Sequence, residues 1–514
     1  MRIRDTLIGL CLFLLMPAFA LAAPSVYPTG VTIYKPKKCW NGFTMLDIRA
    51  APGKEQVPLI DMNGNVVHQW KGLRGYPPKV LPGGYLVATT AGVPGAMMEE
   101  VDLVQVDWNG NVVWKFDQWE QMKTRSGEMV WHARHHHDWQ REGSSVGYYA
   151  PGQKALVKGG KTLILAHTNH KVPEINENLL HDDVIYEVSW EGEILWSWRC
   201  GDHFDEMGFD SAAKKAISLL RPNRGIGPGG KRMYVDWLHL NAVNYLGPNK
   251  WYNSGDERFH PDNILWDSRD SNGIYIIDRK TGKIIWRAGP DYTETPALKK
   301  LGHIIGPHNA HMIPKGLPGE GNILVFDNGG WAGYGAPTPA APYGIHNVRR
   351  DYSRVIEFNP VTFEPVWEYS GKSLNHFFFT RADVFYSAHI SGAQRLPNGN
   401  TLITEGTSAR SFEVTPDLEI VWEYVSPFES RSFGKFYPHR QMYRSYRIPY
   451  EWIPQVPRPE EKAVIPPDNT RLRVTKSGLD VIGAGPADPG VKAPASSGGD
   501  REDEGGPRMG TPEY

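Results

Sequence analysis

The chain has almost no cysteine, with Cys11, Cys39 and Cys200 the only three in 514 residues. A scaffold built on disulfides is thereby excluded, although Cys39 and Cys200 permit one bond in an oxidising compartment. An excess of one charge is also lacking. Fifty-six basic side chains against 57 acidic ones leave a formal net charge of -1, so nothing draws the whole molecule to nucleic acid, and any ligand is held by local groups. Long apolar runs are missing beyond the first residues. There, Arg2 and Arg4 precede an apolar run over residues 7–15, Pro17 breaks it, and Ala20-Leu21-Ala22 follows. That is the pattern of an export signal, and the run is shorter than the roughly 20 residues of a spanning helix. Leu10 before Cys11 argues against lipid attachment. The expectation is a signal peptide over residues 1–22, a mature chain in the periplasm or outside the cell, and no membrane span.

Long helical patterns are absent after the signal. Eighteen Trp, 23 Tyr, 54 Gly and 41 Pro take their place. Aromatics favour pleated, half-buried surfaces, and Gly and Pro punctuate them, so many short strands are expected. One phrase recurs six times, a strand, a tight polar turn, and a strand ending in tryptophan: DMNGNVVHQW at Trp70, DWNGNVVW at Trp114, SWEGEILW at Trp196, DRKTGKIIW at Trp286, NPVTFEPVW at Trp367 and TPDLEIVW at Trp422. In the first four a glycine supplies the positive φ of a tight hairpin, while the last two use Asn-Pro and Thr-Pro turns. A second phrase, Leu-Pro-Gly or Leu-Pro-Asn before a strand, falls between the copies. Four strands per unit, six units and the need to protect sheet edges together predict an all-β fold, a six-bladed β-propeller over residues 23–454. Uneven spacing puts long loops at residues 142–149, 221–232 and 330–350, expected to gather on one face. Residues 455–514 are rich in Pro, Gly and charge and read as a disordered tail.

The residue seven places before the Leu of the second phrase is Arg74, His239 or His389 in three blades. Looser matches add His308 or His311 and His439, and Arg134, His135, His136 and His137 stand in the same region of another blade. Innermost strands converge on a propeller axis, so a ring of imidazoles and arginines facing a central channel is predicted. Such a ring suits a small anion such as sulfate or phosphate, and imidazole also serves as acid, base or nucleophile. Strand alternation implies that His135, His136 and His137 do not all point inward. A metal centre ranks second, because no familiar ligand spacing links these histidines to nearby carboxylates.

Beyond these patterns, the segments DWLHLNAVNYL, GPHNAHMIP with GNILVFDNGG, DYSRVIEFNP with VWEYSG, and FYSAHISGAQRLPNGNTLITEG resemble the bacterial arylsulfate sulfotransferases over residues 34–427. The resemblance implies a propeller that moves a sulfuryl group from a phenolic sulfate donor to a phenolic acceptor by a ping-pong route. A sulfohistidine would be the intermediate, and no nucleotide or other cofactor would take part. His239 and His308 carry over as sulfate-binding or acid–base residues, and Arg354 matches as an anion-binding one. Two features depart from the family. No arginine follows Phe326-Asp327-Asn328-Gly329 closely, and the late strand expected to hold the nucleophile reads Glu405-Gly406-Thr407-Ser408-Ala409-Arg410, without histidine. His389, one strand earlier, is the substitute nucleophile, with Arg410, Arg74, His311 and His439 as further anion-binding candidates.

Two other readings stay open. A quinoprotein dehydrogenase would account for IYIIDRKTGKIIWRAG, but calls for eight blades, an adjacent cysteine pair and a Ca²⁺ site. A propeller that only binds a ligand or partner is the non-enzymatic alternative, because fold does not guarantee chemistry.

Overall fold

The computed structural model describes residues 29–48, 53–94, 96, 98–123, 127–226, 231–371, 373, 385–429 and 440–464. The expected signal peptide, the tail from residue 465 onward and His439 therefore lie outside the described residues. Six sheets of at least four strands, antiparallel apart from one short parallel pair in blade 3, form the blades of a propeller. Blade 2 runs through Arg74–Leu81, Tyr85–Thr89, Leu103–Val106 and Val112–Phe116. Blade 3 holds His135–Arg141, Thr162–Val172, Asn176–Val188 and Ile194–Arg199; blade 4 holds Leu240–Tyr245, Ile264–Ser268, Gly273–Ile277 and Ile284–Ala288. Blade 5 comprises Pro307–Met312, Ile323–Asp327, Arg354–Phe358 and Pro365–Ser370, and blade 6 Gly392–Arg395, Thr401–Glu405, Arg410–Val414 and Ile420–Val425. Six blades rather than eight remove the quinoprotein reading.

Blade 1 closes the ring. Its outer strands Phe43–Ile48, Gln56–Ile60 and Val66–Lys71 come from the start of the chain, while its innermost strand, Met442–Ile448, comes from the end and pairs with Phe43–Ile48. A second joint lies beside it, where Gly30–Tyr34 adds to the outer edge of blade 6. Residues after Pro454 stay on the propeller as far as Val464, whose N–H and carbonyl both bond to Tyr34. Cys39 and Cys200 are free thiols, so the disulfide that the sequence permits does not form.

The repeated tryptophans act as latches between blades. Each indole N–H donates to a carbonyl in the outer hairpin of the next blade: Trp70 to Asp107, Trp114 to Trp190, Trp286 to Pro360, Trp367 to Pro416 and Trp422 to Met62, the last across the closure. In blade 3 the latch is Trp198, bonded to Gly282, and Trp196 stands two residues before it. The turns work as expected at Gly64, Gly110, Gly192 and Gly282, all at positive φ, while Phe363 and Leu418 adopt φ of 58° and 69° in the two turns without glycine. Replacing Trp422 by Phe keeps most of the buried ring and removes one latch bond. The expected cost is about 1 kcal/mol in urea unfolding.

Two of the long loops share one face. Arg224–Ile226 and Arg232–Asp236 pair into a hairpin beside His239, and Ala332–Tyr334 pairs with Ile345–Val348 above Trp237, whose carbonyl accepts from the Tyr334 hydroxyl. The loop over residues 142–149 instead lies at the other end of the channel, where the Tyr148 hydroxyl is 2.9 Å from His311 Nε2. That corrects the expectation that all three gather together. Among the described residues no helix is long and apolar enough to cross a membrane.

Candidate active site

All six blades send one residue to a knot at the axis: Tyr443 from blade 1, Tyr76 from blade 2, His137, His239, His308, and Ile390 from blade 6. Tyr76 and Tyr443 stack at 4.4 Å between centroids. The edge of His137 meets Tyr76 at 4.4 Å and His239 at 4.8 Å, and His308 meets Tyr443 at 6.5 Å. The backbone that delivers them is unusual. His137, His239, Asn309 and Ile390 all have φ between 53° and 58°, and the register shifts where the innermost strands of blades 3, 4 and 5 begin. Left-handed conformations cost non-glycine residues free energy and cluster where function demands them. Here they turn side chains out of the pleat and into the axis.

The alternation argument holds for the triple histidine: His137 reaches the axis, while His136 faces Asp183 and His167 within blade 3. With His137 left-handed, His136 and His137 bring their Nδ1 atoms within 2.6 Å, and all of His135, His136 and His137 are buried. Burial, reinforced by the charges of His239, His136, His308 and His167, holds His137 well below the ordinary imidazole range, so it is neutral.

His239 differs from its neighbours. Its Nδ1 lies 2.8 Å from Asp236 Oδ2, and the same carboxylate oxygen is 2.6 Å from Arg224 Nη2. Burial opposes ionisation of Asp236, yet Arg224 and His239 hold its carboxyl well below the usual range. An ionised carboxylate on Nδ1 fixes the proton there and leaves the Nε2 lone pair available. His239 keeps 7% exposure, against 2% for His137 and His308, so this is the histidine that a ligand in the channel can reach.

His308 is committed on both sides. Nδ1 faces two acceptors, Asn328 Oδ1 at 2.7 Å and the Gly306 carbonyl at 3.1 Å, and so carries the proton. Asn328 is oriented by donating to the carbonyls of Ser387 and Ile390. Nε2 in turn accepts the Ile390 N–H at 3.2 Å. His308 thus ties blade 5 to blade 6 as a neutral ring, and burial pushes its pKa well down. His389 sits half-buried one residue before Ile390, with its carbonyl accepting from Ser387.

The remaining candidates are engaged elsewhere. Arg74 pairs with Glu100 at 2.8 Å. Arg354 binds Asp327 and Glu368 and the carbonyls of Leu301, Gly302 and His303. Arg410 lies between Glu405 and Glu423. His311 donates through Nδ1 to the Asn309 carbonyl and meets Tyr148 through Nε2, and burial lowers it to about 4. No arginine follows Gly329 closely in sequence, yet Arg350 returns to Asp327 at 2.7 Å.

Beneath the knot the channel is plugged by buried charge. Lys79 Nζ is 2.6 Å from Asp138 Oδ1, and Arg444 Nη1 is 3.2 Å from Asp138 Oδ2. Residues that the sequence did not single out complete the site: Tyr76, Tyr443, Asp236 and Arg224. Asp236 was within reach, three residues before His239 in the same quoted segment; the tyrosines carry no motif. A surface cavity of about 670 Å³ between Trp119, Trp198 and Lys280 is lined by none of the axial histidines.

A six-bladed propeller with an aspartate-oriented histidine and an aromatic floor at its axis defines a class of channel-site propellers. Residues 153–425, a little over half of the chain, match the Arylsulfotransferase (ASST) family. The chain belongs to the arylsulfotransferase family, and membership supports aryl sulfotransferase activity in general. A search of curated proteins returns no match. Among solved structures, a protein of unknown function from Bacteroides caccae is 10% identical, with a TM-score of 0.40 over 79% of this chain and 99% of that one. Apo AztD from Citrobacter koseri is 6% identical (TM-score 0.33, 79% of this chain and 98% of that one). Virginiamycin B lyase from Staphylococcus aureus is 10% identical (TM-score 0.25, 78% and 92%). These likenesses are too distant to say more.

Proposed function

We propose that the chain transfers a sulfuryl group from a phenolic sulfate to a second phenol, with His239 as the group that carries it. The observation behind this choice is the 2.8 Å contact of His239 Nδ1 with Asp236, which fixes the ring and turns Nε2 away from the carboxylate in the most exposed of the three histidines His137, His239 and His308. In the first step the Nε2 lone pair attacks sulfur, the aryl oxygen–sulfur bond breaks, and the phenolate leaves with its electron pair. Asp236 offsets the positive charge that develops on the ring, and Arg224, 3.5 Å from His239 Nδ1, adds a cation beside the anionic group. In the second step the acceptor phenol attacks sulfur and the N–S bond breaks, returning the pair to Nε2. The acceptor's proton is released to solvent. The export pattern of residues 1–22 supports action in the periplasm or outside the cell.

The test is phenol-dependent release of nitrophenolate from 4-nitrophenyl sulfate. His239→Ala is expected to lower kcat by about 10³-fold or more, the scale of losing an activated nucleophile, with His308→Ala folding less stably. Loss confined to His389→Ala would transfer the nucleophile to that residue. No turnover by the folded chain with any phenolic pair would leave a binding propeller.

A further inference from the structure

A second cluster lies in blade 3, behind the axial knot, on three adjacent strands. His136 is on the innermost strand, His167 on the next and Asp183 on the third. His167 and Asp183 are direct cross-strand partners, so their side chains share one face of the sheet. His136 Nε2 is 3.2 Å from Asp183 Oδ1, and His167 Nε2 is 3.6 Å from the same oxygen. All three residues are at least 97% buried.

These contacts are close without being hydrogen bonds. Among the described residues, His136 Nε2, both nitrogens of His167 and Asp183 Oδ2 lack any hydrogen-bond partner. Buried polar atoms are rarely left so, and a cluster of several calls for an explanation. The charge is unanswered too. Among the described residues, Asp183 has no arginine or lysine within ion-pair distance, whereas Glu99 has Arg134 and Asp236 has Arg224.

We infer that His136 Nε2, His167 Nε2 and Asp183 Oδ1 form a binding site for one divalent transition-metal ion of the zinc type. The spacing fits. Ligand bonds of about 2.0–2.2 Å in a tetrahedron give ligand–ligand edges of roughly 3.4 Å, and the two short edges here are 3.2 and 3.6 Å. Two imidazoles and one carboxylate suit zinc and leave a fourth position for water or an oxyanion. The surroundings also fit. Glu99 Oε1 is 3.3 Å from His167 Nδ1, where the outer carboxylate of a carboxylate–histidine–metal arrangement stands. With an ion on its Nε2, His136 carries its proton on Nδ1 and donates it to His137 Nδ1, 2.6 Å away. That places the His137 proton on Nε2, in a ring that lies 4.8 Å from His239 between centroids.

The alternative grouping, Glu99 with His167 and His181, also has converging atoms. Arg134 already neutralises Glu99 there, so the His136 side is favoured.

Untagged full-length protein, stripped with EDTA and dialysed, would be titrated calorimetrically with Zn²⁺ and then, separately, with Co²⁺ under visible absorption. One equivalent of each is expected, with the intense d–d bands of tetrahedral cobalt. Asp183→Asn and His136→Gln, checked for folding by circular dichroism, should abolish the equivalent, and Glu99→Gln should weaken it about 10-fold. His136→Gln keeps the test alive if Asp183→Asn does not fold. No uptake by folded wild-type chain would overturn the assignment, as would unchanged binding in both ligand variants, or loss in His181→Gln with Asp183→Asn unaffected. Metal content is read whether or not the chain transfers sulfuryl groups, so this inference and the proposed activity fail separately.

Discussion

Asp236→Asn is expected to lower kcat for sulfuryl transfer by about 10³- to 10⁴-fold while leaving the fold intact, the scale seen when an aspartate that orients a catalytic histidine becomes an amide. The substitution is nearly isosteric. It removes the ionised carboxylate that His239 Nδ1 and Arg224 share, so the imidazole loses both its fixed tautomer and the charge that stabilises the sulfuryl-bearing ring. Unchanged kcat with raised KM would instead mean that Asp236 only shapes substrate binding, since a loss confined to KM reports uniform binding. Steady-state kinetics with 4-nitrophenyl sulfate separates the two.

The second large effect concerns closure. A chain ending at Arg440 is expected not to fold, whereas one ending at Ile465 is expected to melt like the full chain. The first truncation removes Met442–Ile448, and with it the innermost strand of blade 1, the Tyr443 ring of the axial knot, and two buried arginines. Arg444 is part of the Lys79–Asp138 network, and Arg447 reaches Glu413 of blade 6 at 3.1 Å. Losing it leaves Asp138 and Glu413 short of buried partners, at a cost of about 3–5 kcal/mol for each broken pair. Together they come to about 6–10 kcal/mol, comparable with the roughly 5–15 kcal/mol that holds a whole domain. Soluble expression and a cooperative thermal transition for the shorter chain would contradict this account.

The blades were legible because their signal is local: a turn residue, a strand and a tryptophan repeat within about ten positions. The closure was not, since Met442–Ile448 carries no tryptophan phrase and pairs with a strand 400 residues earlier. In the site, His239 and His308 could be found from their offset to the next turn, which is again local. The role of His308 could not, because its partners Asn328 and Ile390 belong to the next strand and the next blade. His136 and His137 resisted for a different reason. Period-two alternation separates their faces but does not foresee the left-handed His137, which brings its Nδ1 beside that of His136. His167, His181 and Asp183 lie on the long second and third strands of blade 3, where no repeat offset points. Their convergence is a matter of cross-strand register. Arg354 and Arg410 show the converse: both fit an anion in sequence, and both are held by carboxylates brought near only by pairing.

The central claim is that His239 carries the sulfuryl group. Acid-free quenching of the protein with excess 4-nitrophenyl sulfate and no acceptor, then proteolysis and peptide mass spectrometry at alkaline pH, tests it directly. The predicted result is a sulfuryl adduct on His239, absent after addition of phenol and absent in Asp236→Asn. An adduct on His389, or sustained phenol-dependent transfer with no adduct on His239, would contradict it.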